Sequence, residues 1–191
     1  MQLKTSFFLV LLGLSLILAA QLKVKIKVDP KIEKLKAETK QLAEVHADFS
    51  PSCFSYYSPI LSGITDQYEA EYGVCVSNYD NATAAINTQW QAQREAMQNS
   101  IYNSCNSLQS CNNANSSLTA FECIANTSAE DSKIFYGISS NATDAAAKIK
   151  DQYNVAESQQ TICINNAETV YVTQTTSTYE ELNSCLKNGY V

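Results

Sequence analysis

Histidine is nearly absent from this 191-residue chain: His46 is the only one. A Ser/His or Cys/His pair would therefore rest on one imidazole set in a charged stretch ahead of the first cysteine. Glycine is scarce as well. After the first twenty residues only Gly63, Gly73, Gly137 and Gly189 remain, none grouped into a loop that could cradle phosphate. No apolar run beyond those twenty residues is long enough to cross a bilayer. Asp144 with Asp151, and Glu180 with Glu181, could be named as paired carboxylates, but acidic side chains at such helical spacings usually face water. The inventory points to a non-enzymatic protein with no cofactor and no metal.

What is present begins with MQLKTSFFLVLLGLSLILAA. Lys4, an apolar run from Phe7 to Leu18 and a small-residue end form the pattern of a secretory signal peptide over 1–20, with cleavage expected near Ala20. Seven cysteines in an exported chain imply disulfides, and the odd count leaves one thiol without an internal partner. Charge is unevenly placed. Residues 21–40 hold seven lysines against three carboxylates, a net of +4, whereas residues 41–191 carry five basic and sixteen acidic side chains, a net of −11. The body should repel nucleic acid and anionic membrane.

LKVKIKV, residues 22–28, alternates at the period of a strand, and after Pro30 the segment KIEKLKAETKQLAEV puts Ile32, Leu35, Thr39 and Leu42 at helical spacing. This basic amino-terminal arm, 21–49, is expected to be a solvated linker or trimmed pro-segment; the competing reading is a surface-seeking arm. From residue 54, Phe54, Tyr57, Leu61, Ile64, Tyr68 and Cys75 form an amphipathic stripe, continued at wider steps by Ile86, Trp90, Met97 and Ile101. A helix is predicted from Ser50-Pro51 or Ser58-Pro59 to about residue 108. SCNNANSSLT, 110–119, should turn the chain. Gly137 to Asn141 reads as a second break, with Asn141 and Asp144 resembling a helix start. Ala142, Ala146, Ile149, Tyr153, Ala156, Cys163, Ala167 and Val170 then keep an alternating four-and-three register. TVYVTQTTSTY, 169–179, favours strand on propensity, but the register enters it and Leu182 resumes it, so helix is expected.

Cys53 to Cys75 and Cys163 to Cys185 are both 22 positions apart. In a helix that interval spans roughly 33 Å, returning to nearly the same face. Bridged cysteines need α-carbons within about 7 Å, so neither interval can close on itself. Two helices side by side could be stapled at both ends. A parallel ladder would join Cys53 to Cys163 and Cys75 to Cys185; an antiparallel one joins Cys53 to Cys185 and Cys75 to Cys163. The antiparallel pairs sum to 238, and Cys111 with Cys123 sums to 234, closing the Asn/Ser-rich turn in nearly the same register. That third pair favours the antiparallel ladder and leaves Cys105 unpaired or intermolecular. The expected architecture is all-α: an elongated antiparallel helical hairpin or bundle over 50–187, stapled by disulfides, with a short tail at 188–191.

Asn81, Asn115, Asn126 and Asn141 each begin an acceptor triplet for N-linked glycan, three of them at expected turns or helix starts. Eleven tyrosines supply contact area with a polar tip. Most should line the core, while Tyr72 and Tyr79, off the main stripe, form a candidate binding patch.

CFSYYSPIL, YEAEYGVC, SCNSLQSC followed by FEC, and TYEELNSCL together resemble the insect secreted domain family named after the tsetse EP protein, over about residues 53–186. The resemblance implies an exported insect protein of midgut or another secretory epithelium, with no catalytic residues to carry over. The Glu-Pro repeat tail of the name-giving member is missing here. The functional expectation is a secreted glycoprotein that binds an extracellular protein or glycan, with a disulfide-linked homodimer through Cys105 as one form. The alternative is a carrier holding a small apolar ligand between its helices, to be favoured by an apolar pocket of ~300 Å³ or more.

Overall fold

A computed structural model describes residues 29–189. The expected signal peptide, the LKVKIKV stretch and the last two residues lie outside the described residues. Three helices follow in order: α1 (Pro30–Val45), α2 (Ser50–Ser110) and α3 (Ser117–Asn188), with a single 3-10 turn at Cys111–Asn113 between the last two. Among the described residues there is no strand. The fold is all-α and stapled by disulfides.

Local chemistry sets the boundaries. Asp29 caps α1, its Oδ1 accepting from the amides of Lys31 at 2.8 Å and Ile32 at 3.2 Å, and Pro30 occupies the first turn, where no amide is needed. Of the two proposed starts for α2 the chain uses the earlier, so Pro59 sits inside the helix. At the far end Gly189 adopts a left-handed φ of 72° and donates its amide to the Cys185 carbonyl at 2.7 Å. A β-carbon there would fall 2.8 Å from the Phe49 ring, which would have to shift, and the left-handed φ itself favours glycine.

The expected break at Gly137 to Asn141 does not occur: α3 runs through it. One helical glycine costs about 1 kcal/mol, less than ending and renucleating a long helix. Asn141 is therefore mid-helix rather than a start. TVYVTQTTSTY is helical as well. Thr175, Thr176 and Thr178 are buried, and Thr178 returns its hydroxyl to the Gln174 carbonyl at 2.8 Å, so packing overrides strand propensity.

The chain divides into two compact units. One combines the residues before Asp66 with those from Val172 onward. Its core is Cys53, Tyr57, Leu182, Cys185 and Leu186, against which Leu42, Ala43, Phe54, Leu61 and Tyr179 pack. The Cys53–Cys185 disulfide, with α-carbons 5.9 Å apart, lies at its centre. Here α1 departs from the expected solvated linker. Ile32 and Thr39 are buried, the Thr39 hydroxyl lies 2.6 Å from Asn183 Oδ1, and Lys31–Glu180 and Lys187–Glu38 ion pairs flank them. The stripe of α1 was visible; its partner surface needed the disulfide pole to be assembled.

The second unit, Asp66–Tyr171, pairs the remaining lengths of α2 and α3 antiparallel. Cys75–Cys163 and Cys111–Cys123 join them with α-carbons 5.7 and 5.6 Å apart. Between them Tyr68 meets Tyr171 with ring centroids 5.1 Å apart, Trp90 Nε1 donates to Gln152 Oε1 at 2.7 Å, and the Tyr153 hydroxyl donates to Asn87 Oδ1 at 3.2 Å.

The packed positions recur every 11 residues. In α2 Cys53, Ile64, Cys75, Ile86, Met97 and Leu108 form one such series, each buried or half-buried; in α3 Ala145, Ala156, Ala167 and Thr178 form another, all buried. At about 3.67 residues per turn, 11 residues complete three turns. Each 22-residue cysteine interval is thus two repeats. This corrects the four-and-three register, whose 3.5-residue period drifts against the true one. Ala145 is buried in place of Ala146, Val170 is exposed, and on α2 Ser104 is buried while Ile101 is exposed.

Candidate ligand groove

Where α1 lies against the Cys53–Cys185 pole it leaves a groove of about 640 Å³. Phe54, Leu61, Tyr179 and Leu182 supply its apolar floor, and Thr39 and Ala43 its α1 wall. Lys36, Lys40 and Glu44 stand one turn apart along the α1 rim, with Ser50 and Ser58 opposite. The turn between α1 and α2 fixes the mouth: the Ser50 hydroxyl is 3.0 Å from the Ala43 carbonyl and 3.2 Å from that of His46. His46 stacks on Phe49 with ring centroids 6.3 Å apart, and neither lines the groove. The arrangement offers an apolar trough edged by two ammonium groups and one carboxylate. It can take an alkyl or ring system and place a polar end at the rim.

The α1 wall of the groove is not evident from the sequence, because the lysine-rich composition of 21–49 is that of a solvated arm. The available signal was Asp29-Pro30 ahead of a helical stripe, which marks a capped helix.

In the other unit the disulfide Cys75–Cys163 borders two smaller recesses. One, of about 320 Å³, is lined by Val74, Ala167 and Val170; the other, of about 130 Å³, holds Tyr79 against the bridge. Tyr72 and Tyr79 are both half-buried, and the Tyr72 ring lies 6.2 Å from that of Tyr68. Packing thus covers part of each ring. Tyr68 is itself buried with no hydrogen-bond partner for its hydroxyl among the described residues. Burial, then Glu168, push its pKa above the ordinary phenol value. Tyr57 is raised in the same way, by burial and then Glu181.

Asn81, Asn115, Asn126 and Asn141 are all exposed, but only Asn115 lies in the connection between α2 and α3; the other three are within helices. Cys105 is exposed and unpaired within the chain. Among the described residues no group of His, Cys, Asp and Glu is placed to hold a metal, and no helix is long and apolar enough to cross a membrane.

Fold and groove together define a disulfide-stapled all-α protein with an open apolar trough. Residues 49–169 match the family described as Protein of unknown function (DUF725), and the chain belongs to that family. No curated protein and no solved structure matches the chain.

Proposed function

We propose that the chain is a secreted, non-enzymatic glycoprotein that carries a small apolar or amphipathic ligand in the groove beside α1. The single observation behind this reading is the size and lining of that groove. At about 640 Å³ it is twice the ~300 Å³ at which a carrier becomes the better explanation, and its floor is four large apolar or aromatic side chains. Export fits the three internal disulfides, which persist in oxidising surroundings, and an insect secretory epithelium follows from the resemblance to the tsetse EP family. The test is titration of the oxidised protein with a fluorescent long-chain amphiphile, followed by competition with unlabelled fatty acids, alcohols and sterols. Saturable binding should appear, and Ser58→Trp, which fills the mouth from an exposed position, should abolish it while helix content is kept. Equal binding by the parent and Ser58→Trp would place any ligand elsewhere.

A second reading, recognition of an extracellular protein or glycan, is supported by exposed aromatic side chains such as Tyr102, Phe121 and Tyr136 in the Asp66–Tyr171 unit. In this reading the free thiol of Cys105 is open to a second chain.

A further inference from the structure

We infer that the ligand of the groove beside α1 is a zwitterionic amphiphile, a phosphocholine head on a single alkyl chain, with its phosphate at Lys40 and its quaternary ammonium at Glu44. This rests on the carrier reading and names the class of molecule carried. Helix α1 bears seven charged side chains. Four of them are committed to ion pairs: Lys31 to Glu180, Glu33 to Lys36, and Glu38 to Lys187, at 2.8 to 2.9 Å. Among the described residues Lys34, Lys40 and Glu44 make no ion pair. Lys34 lies outside the groove, whereas Lys40 and Glu44 line it. Four residues apart on one rim, their β-carbons stand about 5–6 Å from each other, and with the lysine nearer the helix N-terminus the pair is in the weaker of its two orders. An ammonium and a carboxylate are thus left side by side over an apolar floor.

Charge complementarity selects the head. An anionic head at Lys40 would sit beside Glu44, and a cationic head at Glu44 would sit beside Lys40, so each would meet repulsion one turn away. A head that carries both signs satisfies both. Lys36 does not alter this balance, because Glu33 already neutralises it, and the opposite rim, Ser50 and Ser58, is uncharged. Length sets the chain. The α1 wall runs from Lys36 to Glu44, about 12 Å along the helix. An extended alkyl chain advances about 1.3 Å per carbon, from a C–C bond of about 1.5 Å and near-tetrahedral angles, so roughly nine or ten carbons match that wall. They would lie on Phe54, Leu61, Tyr179 and Leu182. One trough takes one chain; the second chain of a diacyl lipid would be left in water.

The test uses the full secreted chain with its disulfides formed. A bound fluorescent long-chain amphiphile is displaced by decylphosphocholine, decanoate, decyltrimethylammonium or decanol, each below its micelle-forming concentration. Decylphosphocholine should bind about three- to fivefold tighter than either singly charged ligand, the scale of one exposed ion pair. Lys40→Gln should remove that margin against decyltrimethylammonium, and Glu44→Gln should remove it against decanoate. Decanol binding should be the same in both variants, and Lys34→Gln, outside the groove, should bind all four ligands as the parent does. In about 1 M salt, where charges are screened beyond about 3 Å, the margin should vanish without any substitution. A singly charged ligand that binds as tightly as decylphosphocholine overturns the head assignment, and so do folded Lys40→Gln and Glu44→Gln variants that keep the full margin. If decanol still binds the parent and Ser58→Trp still abolishes that binding, the carrier reading survives such a result. Displacement by none of the four ligands overturns both.

Discussion

Removing the Cys53–Cys185 bridge by Cys53→Ala with Cys185→Ala should cost about 4 kcal/mol. The bridge spans 132 residues, which on the chain-entropy account alone corresponds to about 5 kcal/mol. That loop is not independent, however, because Cys75–Cys163 spans 88 residues inside it. With the inner bridge intact, the outer one closes only the stretches 53–75 and 163–185. These form an effective loop of roughly 44 residues, worth about 4 kcal/mol. Both cysteines are fully or almost fully buried, so the missing sulfurs add at most about 1 kcal/mol of lost packing. Against the ~5–15 kcal/mol of an ordinary domain this is a large share. Urea unfolding followed by far-ultraviolet circular dichroism would measure it, with the midpoint falling and the slope rising as the unfolded chain gains freedom. A loss below about 1 kcal/mol would refute the reasoning, since the bridge would then not be restricting the unfolded ensemble.

Tyr68→Phe removes a buried hydroxyl without a partner and should stabilise the protein by roughly 1 kcal/mol, read as a higher melting temperature. Because the folded-state pKa of Tyr68 is raised, its contribution is present in full below about pH 10 and lost as pH rises through the folded value; the advantage of Tyr68→Phe should therefore widen above pH 10, and parallel stability curves would contradict this. Asn183→Ala should cost about 1–3 kcal/mol by leaving Thr39 without its cross-helix partner, and trypsin should then cut at Lys34, Lys36 and Lys40 well before it cuts the parent. Deglycosylation followed by peptide mass mapping should find glycan at Asn115, the acceptor in the connection between α2 and α3, and at one or more of Asn81, Asn126 and Asn141; an unmodified chain from a secreting cell would exclude the glycoprotein reading.

Much of the molecule is legible in its sequence. The periodic stripe of α2 and the turn near residue 115 followed from apolar spacing and turn residues; helical geometry left two possible ladders, and the structure holds the antiparallel one that the Cys111 and Cys123 positions favour. The repeat was legible too, though at the wrong period. Steps of three and four look alike over a turn or two, and only burial along the helices distinguishes 11 residues in three turns from seven in two. The Gly137 break failed because local signals carry small energies beside a long cooperative helix.

The order of residues by itself determined the helical stripes of α2 and of the later part of α3 and narrowed the staples to two ladders, since each depends on spacing along one chain; that α1 docks, that α3 runs unbroken and that the pairing is antiparallel were decided in three dimensions. The groove and the exposed end of the second unit were decided by tertiary structure. Both depend on which flank of a stripe finds a neighbour: α1 covers one side of the Cys53–Cys185 pole, with Ile32 and Thr39 buried, while Phe121 and Tyr136 stay open. Apolar periodicity states that a face must be covered; it does not state by what.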